Sequence, residues 1–325
     1  MIFLKKPLII LTGPTAVGKT KLSISLAKAV NGAIISADSM QVYRHMDIGS
    51  AKIRPEEMCG VPHYLIDVLD PSEEFHVVKF VELAHEAMEK IYAAGQIPIV
   101  TGGTGFYIQA LLKEVDFTES HGELPIRKQL EEKAATEEGA AELYRELSEV
   151  DSASAETIHP NNVKRVIRAL EYYHEKISEH NEEQKQKESP YCSAYFVLND
   201  ERSILYDRID RRVDQMICDG LVDEVFHLKE MGYTRDLVSM QGLGYKELFP
   251  YLAGECTLEE AVYIIKRDTR HFAKRQLTWF RREKDVIWLN KPDFDYDEEK
   301  ILSYMLDRWN EIVSADAKEE GEQSC

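Results

Sequence analysis

The sequence predicts an α/β fold, a parallel sheet flanked by helices, and three observations carry that expectation. Short continuous apolar runs recur at LIILT (8–12), AIISAD (33–38) and IPIVTGG (97–103), as in strands buried on both faces. Stretches with helical spacing separate these runs, and alternation at these lengths is the signature of parallel strands covered by helices. Glycine-rich turns follow the first and third runs directly.

In chain order, the strand at 8–12 leads through a glycine-rich turn into a helix. Leu22, Leu26 and Ala29, with Ile24 beside them, give spacings of three and four, and Asn31-Gly32 supplies the stop. The strand at 33–38 comes next, then YLIDVLD, a helical pattern from Val77 to Ala94, a break at Gly95 and the strand at 97–103. After Leu112 the pattern changes, and residues 114–189 read as an all-helical insertion closing in the low-complexity stretch SEHNEEQKQKESP. AYFVLN (194–199) returns the chain to the sheet, helical patterns run over 201–232 and 257–282, and VIWLN (286–290) is the last strand candidate. The expected organisation is therefore a discontinuous core of 1–113 and 190–314, the insertion at 114–189, and an acidic tail at 315–325 expected to be disordered.

With 325 residues and a net charge of −18, the chain is long enough for one large domain or a core plus an insertion. No uncharged apolar run approaches the roughly 18 residues of a membrane span, and the first residues do not read as a secretory signal. Cys59, Cys192, Cys218, Cys256 and Cys325 are scattered, without CxxC or a Cys/His cluster. That argues against a disulfide framework and a structural zinc site and points to the reducing cytoplasm. The acidity argues against nucleic acid as a partner, but it conceals KRDTRHFAKRQLTWFRREK (266–284), where eight Lys/Arg stand against two acids. A solvated helix face is the plain reading of such a run.

The strongest motif is GPTAVGKT, comprising Gly13, Pro14, Thr15, Ala16, Val17, Gly18, Lys19 and Thr20, a full match to the phosphate loop GxxxxGK[ST] between a strand and a helix. Backbone amides at such a helix start surround phosphate oxygens, Lys19 adds a point charge, and the Thr20 hydroxyl can ligate Mg²⁺. The core is thus expected to be P-loop NTPase-like, binding a di- or polyphosphate. Asp38, at the end of the second strand in DSMQVYR, stands at the carboxyl edge where open sheets bind ligands, either as a proton acceptor or metal contact or as a turn aspartate. Gln41 carries an amide able to pair with an adenine edge. TGGTGFY (101–107) forms a second glycine-rich turn at the same edge, with the Thr104 hydroxyl able to reach a phosphate. The third strand lacks the acidic end of a Walker B strand, which weakens a motor or switch ATPase reading.

In LYDRIDRRVDQM, Leu205, Ile209 and Val213 form an apolar stripe flanked by Arg208 and Arg212. Arg208 either reaches a departing phosphate or pairs with Asp207, Asp210 or Asp214. In HPNNVKRVIRALE (159–171), Lys164, Arg165 and Arg168 form a small positive patch. In the larger basic stretch, Arg267, Arg270, Lys274 and Arg281 share one face beside Phe272, Trp279 and Phe280, which suits RNA although such rings are more often core.

Together, GPTAVGKT, DSMQVYR, GGTGFY, HPNNVKRVIRALE, LYDRIDRRVDQM, QGLGYKE and KRQLTWFR resemble in order the tRNA dimethylallyltransferases, over about residues 7–290. The resemblance implies transfer of a dimethylallyl group from dimethylallyl diphosphate to the exocyclic amine of adenosine 37 of tRNA, beside the anticodon. It makes GPTAVGKT the diphosphate cradle with Mg²⁺ at Thr20, Asp38 the general base, and Lys19, Thr104 and Arg208 the catalytic groups around the leaving diphosphate. It places Asp38, Ser39, Met40, Gln41 and Thr104 at the target adenosine, and Arg127, Asn162, Lys164, Arg165, Arg270 and Arg281 on the anticodon stem-loop. It further implies base flipping into a channel, a monomer, and no membrane partner. The rival readings are an adenylate isopentenyltransferase acting on AMP, a P-loop small-molecule kinase, and a non-catalytic RNA-binding module. The insertion and the basic stretches are superfluous for a small acceptor, and QGLGYKE and KRQLTWFR count against a kinase.

Overall fold

The computed structural model describes residues 5–113, 125–178 and 189–323 of the chain. The chain forms two compact units, residues 1–115 with 188–325 and residues 116–187.

The first unit is built on a six-stranded, wholly parallel sheet of β1 (Lys6–Thr12), β2 (Gly32–Ala37), β3 (His63–Tyr64), β4 (Ile97–Gly102), β5 (Tyr191–Asn199) and β6 (Ile287–Asn290), in the order β3-β2-β4-β1-β5-β6. The period-2 alternation of strands sends Leu8 and Ile10 to one face and Ile9 and Leu11 to the other, and both faces are buried, which is why the run reads as continuously apolar. The register pairs Thr12 and Ala37 with Gly102, and Asn199 with Asn290. The carboxyl ends of five strands therefore form one edge, from which every glycine-rich turn departs. β2 stops at Ala37, so Asp38 is the first residue of the loop and not, as expected, the last of the strand.

α1 (Lys19–Val30) packs Leu22, Ile24 and Leu26 on one face of the sheet, and α2 (Val77–Ala93) and α3 (Gly105–Lys113) cover the other. The second unit holds α4 (Pro125–Lys133), α5 (Glu137–Val150), α6 (Ser152–Thr157) and α7 (Val163–Ser178). Its own small core joins Leu130, Leu143, Leu147, Val166, Ile167 and Leu170. Thr136 and Asp151 cap α5 and α6 through side-chain acceptors, as helix starts require.

The helical pattern expected over 201–232 is two helices, α8 (Arg202–Cys218) and α9 (Leu221–Glu230), separated at Gly220, whose φ of 101° no continuing helix accepts. They precede α10 (Leu248–Leu252), α11 (Leu258–Phe280) and α12 (Glu298–Gln323). α8 supplies Leu205 and Ile209 to one core and Val213 to the other, and α11 likewise supplies both. α12 corrects the expectation of a disordered tail: the helix continues through 315–323. Its anchored turns, with Ile301, Met305, Trp309 and Val313 buried, extend into a segment of Ala, Glu and Lys, which are good helix formers despite their polarity. Among the described residues no helix is long and apolar enough to cross a membrane.

Candidate active site

The phosphate loop leaves β1 at Gly13 and ends at Gly18, whose left-handed φ of 99° precedes α1. Lys19 folds back over the loop, its Nζ donating to the carbonyls of Gly13 (2.9 Å) and Pro14 (2.8 Å). Desolvation pulls its pKa down to about 7 against the opposing charge of Asp38, and the positive charge of Arg212 adds to the fall. The Thr20 side chain is exposed at the first turn of α1.

Asp38 is half-buried, and its Oδ1 accepts from the Met40 N–H at 2.8 Å and, more weakly, from the Gln41 N–H at 3.4 Å. One oxygen thus holds the turn, while the carboxylate charge is felt at Lys19, Arg212 and Tyr107. The turn reading and the chemical reading of Asp38 are compatible, since a carboxylate has acceptor capacity for both. Gln41 is tied to its own chain: Ser36 Oγ donates to Oε1 (3.1 Å), and Nε2 reaches the carbonyls of Ser50 (3.4 Å) and Ala51 (3.3 Å). Pairing with a base requires it to exchange those two long bonds. Thr104 joins this group from β4, its N–H donating to the Ala37 carbonyl (3.3 Å), one residue before Asp38.

The two arginines of α8 part company. Arg208 donates to Asp200 at 2.6 Å, a carboxylate buried at the end of β5. This is an ion pair, as one reading of the sequence had it, but with Asp200 rather than a helix neighbour. Arg212, one turn further, is the arginine whose charge reaches both Asp38 and Lys19, and burial lowers its own pKa. The carboxyl edge therefore gathers a phosphate loop with its lysine, a carboxylate, a threonine and a half-buried guanidinium.

That arrangement can bind a diphosphate and accept a proton beside it. A family profile described as IPP transferase matches residues 41–283, and one described as isopentenyl transferase matches residues 6–74. The tRNA dimethylallyltransferase of Lachnoclostridium phytofermentans is 66% identical over 304 residues, 93% of this chain and 96% of the relative. The chain belongs to the tRNA dimethylallyltransferase family. The tRNA dimethylallyltransferase of Acetivibrio thermocellus is 50% identical over 92% of this chain and 96% of its own length. Among solved structures, the full-length tRNA isopentenylpyrophosphate transferase of Bacillus halodurans superposes with a TM-score of 0.72 at 44% identity, covering 98% of this chain and 100% of that one. A eukaryotic dimethylallyltransferase acting on tRNA superposes with a TM-score of 0.74 at 34% identity, over 88% of this chain and 74% of that one.

The remaining site residues expected for a dimethylallyltransferase fall on both units. In the second, Asn162, Lys164 and Arg165 are exposed at the start of α7, where no acid offsets them. Cations there oppose the helix dipole, so helix stability does not explain them. Arg127 pairs with Glu131 (3.1 Å) and the buried Glu171 (3.7 Å), which also receives Arg168 (3.3 Å). The basic stretch on α11 divides. Lys266 and Arg270 pair with Asp214 and Asp210 of α8, whereas Lys274, Arg275 and Arg281 are exposed. Lys274 and Arg281 line a cleft with Arg202, Asn199 and Asp200.

Reading the sequence passed over what QGLGYKE does in this dimethylallyltransferase. The Tyr245 hydroxyl donates to Glu224 (2.7 Å), whose carboxylate also accepts the N–H groups of Asp47 (2.9 Å), Ile48 (2.7 Å) and Gly49 (3.1 Å). The motif anchors the loop that follows Asp38. Its only trace in the sequence is an acid in the first turn after Gly220. That it is the charge of Arg212 that reaches Asp38 and Lys19 depends on its place along α8, which no periodicity reveals.

Proposed function

We propose that this transferase moves a dimethylallyl group from dimethylallyl diphosphate to the exocyclic amine of adenosine 37 of tRNA, at the site formed by Lys19, Asp38, Thr104 and Arg212. One observation carries the assignment of roles: Asp38 and Arg212 are electrostatically coupled to each other and to Lys19 of the phosphate loop. That supports Asp38 as the proton acceptor and the two cations as partners of the leaving diphosphate.

In this reading the loop amides and Lys19 hold the diphosphate. The amine nitrogen forms its bond to the allylic carbon as the carbon–oxygen bond breaks, and the bonding pair leaves with the diphosphate. Arg212, already desolvated, stabilises the charge that develops there, with Thr104 donating from the neighbouring turn. Asp38 takes the amine proton through the oxygen that does not hold the turn. Arg208, held on Asp200, braces α8 and with it Arg212. No nucleotide triphosphate is consumed.

Magnesium fits the donor set. Among the described residues no cluster of three or more His, Cys, Asp or Glu is present. The exposed Thr20 hydroxyl beside a phosphate loop suits an ion that keeps its water and takes the rest of its ligands from phosphate oxygens. Bound there, it would neutralise diphosphate charge.

The tRNA partner is supported by the uncompensated cations Lys164 and Arg165 on α7 and by Lys274 and Arg281 on α11, with Arg127 and Asn162 on the second unit and Arg270 reinforcing α11. Ser39, Met40 and Gln41 follow Asp38 and surround the flipped adenosine. The enzyme works in the cytoplasm as a monomer, which its mass in solution with and without tRNA would check. The deciding test supplies radiolabelled dimethylallyl diphosphate and Mg²⁺ with either unmodified tRNA or AMP. Label in tRNA alone is expected. Label in AMP alone, or in neither acceptor, would overturn the reading.

A further inference from the structure

KRQLTWFR enters the sequence as part of a basic segment, yet two of its residues face inward onto the glycine-rich turns of the sheet edge. Gln276 of α11 is only 6% exposed. Its Oε1 accepts the Thr15 N–H of the phosphate loop at 2.9 Å, and its Nε2 donates to the Gly103 carbonyl at 2.9 Å. Three residues on, and so on the same helical face, Trp279 covers Gly105: a Cβ there would fall 2.3 Å from Cδ1 and 2.5 Å from Nε1. A Cβ on Gly103 would likewise fall 2.1 Å from Gln276 Nε2, so the amide rests directly on that backbone.

We propose that Gln276 is a positioning residue for the prenyl donor: it fixes the spacing between the phosphate loop and the Gly103–Thr104 turn, and thereby the place of the diphosphate relative to Thr104. The chemistry of the two partners selects the side chain. Thr15 offers a donor and Gly103 an acceptor, and a primary amide presents one of each from a single plane. A carboxylate would face the Gly103 carbonyl with like partial charge, an ammonium could not accept from Thr15, and an apolar side chain would leave both backbone groups without a partner. β1 and β4 are neighbours in register, Thr12 against Gly102, so the turns leave the sheet side by side. Below the turns the Thr12 hydroxyl donates to the Gly102 carbonyl (2.7 Å), and the Gln276 bridge ties the turns themselves. It is borne on the helix whose outer face carries Lys274, Arg275 and Arg281. A residue inside the basic stretch that the sequence reading did not single out therefore acts on the donor.

The inference rests on the proposed roles of the phosphate loop and Thr104, and the experiment separates the two. Wild type is first shown to transfer label to tRNA, which tests the reading itself. Gln276→Met, close in size, is then compared for both substrates. The expected result is a loss of about tenfold or more in kcat/KM for dimethylallyl diphosphate, with KM for tRNA within about twofold. Unchanged donor kinetics, or equal losses for donor and tRNA, would overturn the proposal. Gln276→Glu gives a second, independent readout that does not depend on how well the methionine variant folds. Its protonated carboxyl again offers one acceptor and one donor, so its kcat relative to wild type should rise as pH falls from 8 to 5.5. Taking the ratio to wild type at each pH removes the titrations that the two proteins share. A ratio that is flat with pH would overturn the proposal.

Discussion

Gly49 lies against the ring of Tyr245 so closely that a Cβ built on it would fall 2.5 Å from both Cε2 and Cζ. The contact helps to hold the loop that follows Asp38. Tyr245 is fully buried, its hydroxyl donates to Glu224, and Glu224 gathers three successive backbone N–H groups of the loop. The next two residues, Ser50 and Ala51, supply the carbonyls that hold Gln41. Gly49→Ala is therefore expected to force the ring or the loop aside and to cost about 1–3 kcal/mol, the usual range for overpacking. Tyr245→Phe, which leaves the Glu224 carboxylate one donor short, is expected to cost about 1–2 kcal/mol. Urea unfolding of both variants checks the order.

Asp38 separates two roles by atom. Since Oδ1 holds the turn, Asp38→Asn keeps that acceptor and removes only the basicity, whereas Asp38→Ala removes both. Prenyl transfer is expected to fall by about 10²–10⁴ in each variant, the range for loss of a general base. Affinity for tRNA should stay within a few fold, because the proton moves only in the transition state. A binding titration with tRNA beside single-turnover kinetics measures both quantities. Loss of binding comparable to the loss of rate would remove Asp38 from the role of base.

The arginines of α8 should differ in kind. Arg212→Gln is expected to lower kcat by roughly a hundredfold or more, as for loss of one preorganised charge at a leaving group. Arg208→Gln instead leaves Asp200, whose side chain is fully buried, without its guanidinium. Its main effect should be a lower melting temperature, with a smaller change in kcat. Thermal unfolding and steady-state kinetics on the same two variants decide between these roles, and a reversed pattern would return the leaving-group role to Arg208.

How much of this was legible in the sequence follows from which interactions are local. The strand–GxxxxGK[ST]–helix order is a local signal, so the phosphate loop, Lys19 and Thr20 could be placed from residues 8 to 30 alone. Asp38 and Thr104 followed because both stand where an apolar run ends. Arg212, Glu224, Tyr245 and Gln276 act across separations of about 170 to 260 residues, as in the bond from Gln276 to Thr15, and no local pattern encodes such pairs. The tail was misread for the opposite reason. Low apolar content suggested disorder, but a helix anchored by Trp309 and Val313 carries its good helix formers along with it.

Lys19 makes the protein's stability and its donor affinity depend on pH in a defined direction. Its folded pKa is depressed from 10.5 to about 7, so between those values the unfolded chain binds a proton that the folded one has released. Stability from this group therefore rises with pH across that window and carries its full penalty below it. Measured against Lys19→Met, the wild-type urea midpoint should gain between pH 7 and 9.5. Diphosphate oxygens beside the amine favour the ammonium form, so donor binding at pH 8 should take up a proton. Calorimetry in buffers of different ionisation enthalpy reads that uptake directly, and binding heats independent of buffer would contradict it.

The ion pairs divide the basic residues into those free to meet phosphate and those already neutralised. Arg165 on α7 and Arg281 on α11 are exposed, while Arg270 is held by Asp210. Reversing a charge that contacts tRNA phosphate should weaken binding and reduce the dependence of log affinity on log salt by about one unit per contact. Arg165→Glu and Arg281→Glu are expected to show that flattening while sparing diphosphate binding. Arg270→Glu sets a carboxylate against Asp210, so its first effect should be a lower melting temperature, with a salt slope closer to wild type. Affinities measured between 50 and 200 mM salt, beside thermal unfolding, separate the outcomes. An undiminished slope for Arg165→Glu would move the RNA-binding face away from the start of α7, and a full flattening for Arg270→Glu would mean that tRNA phosphate displaces Asp210 on binding.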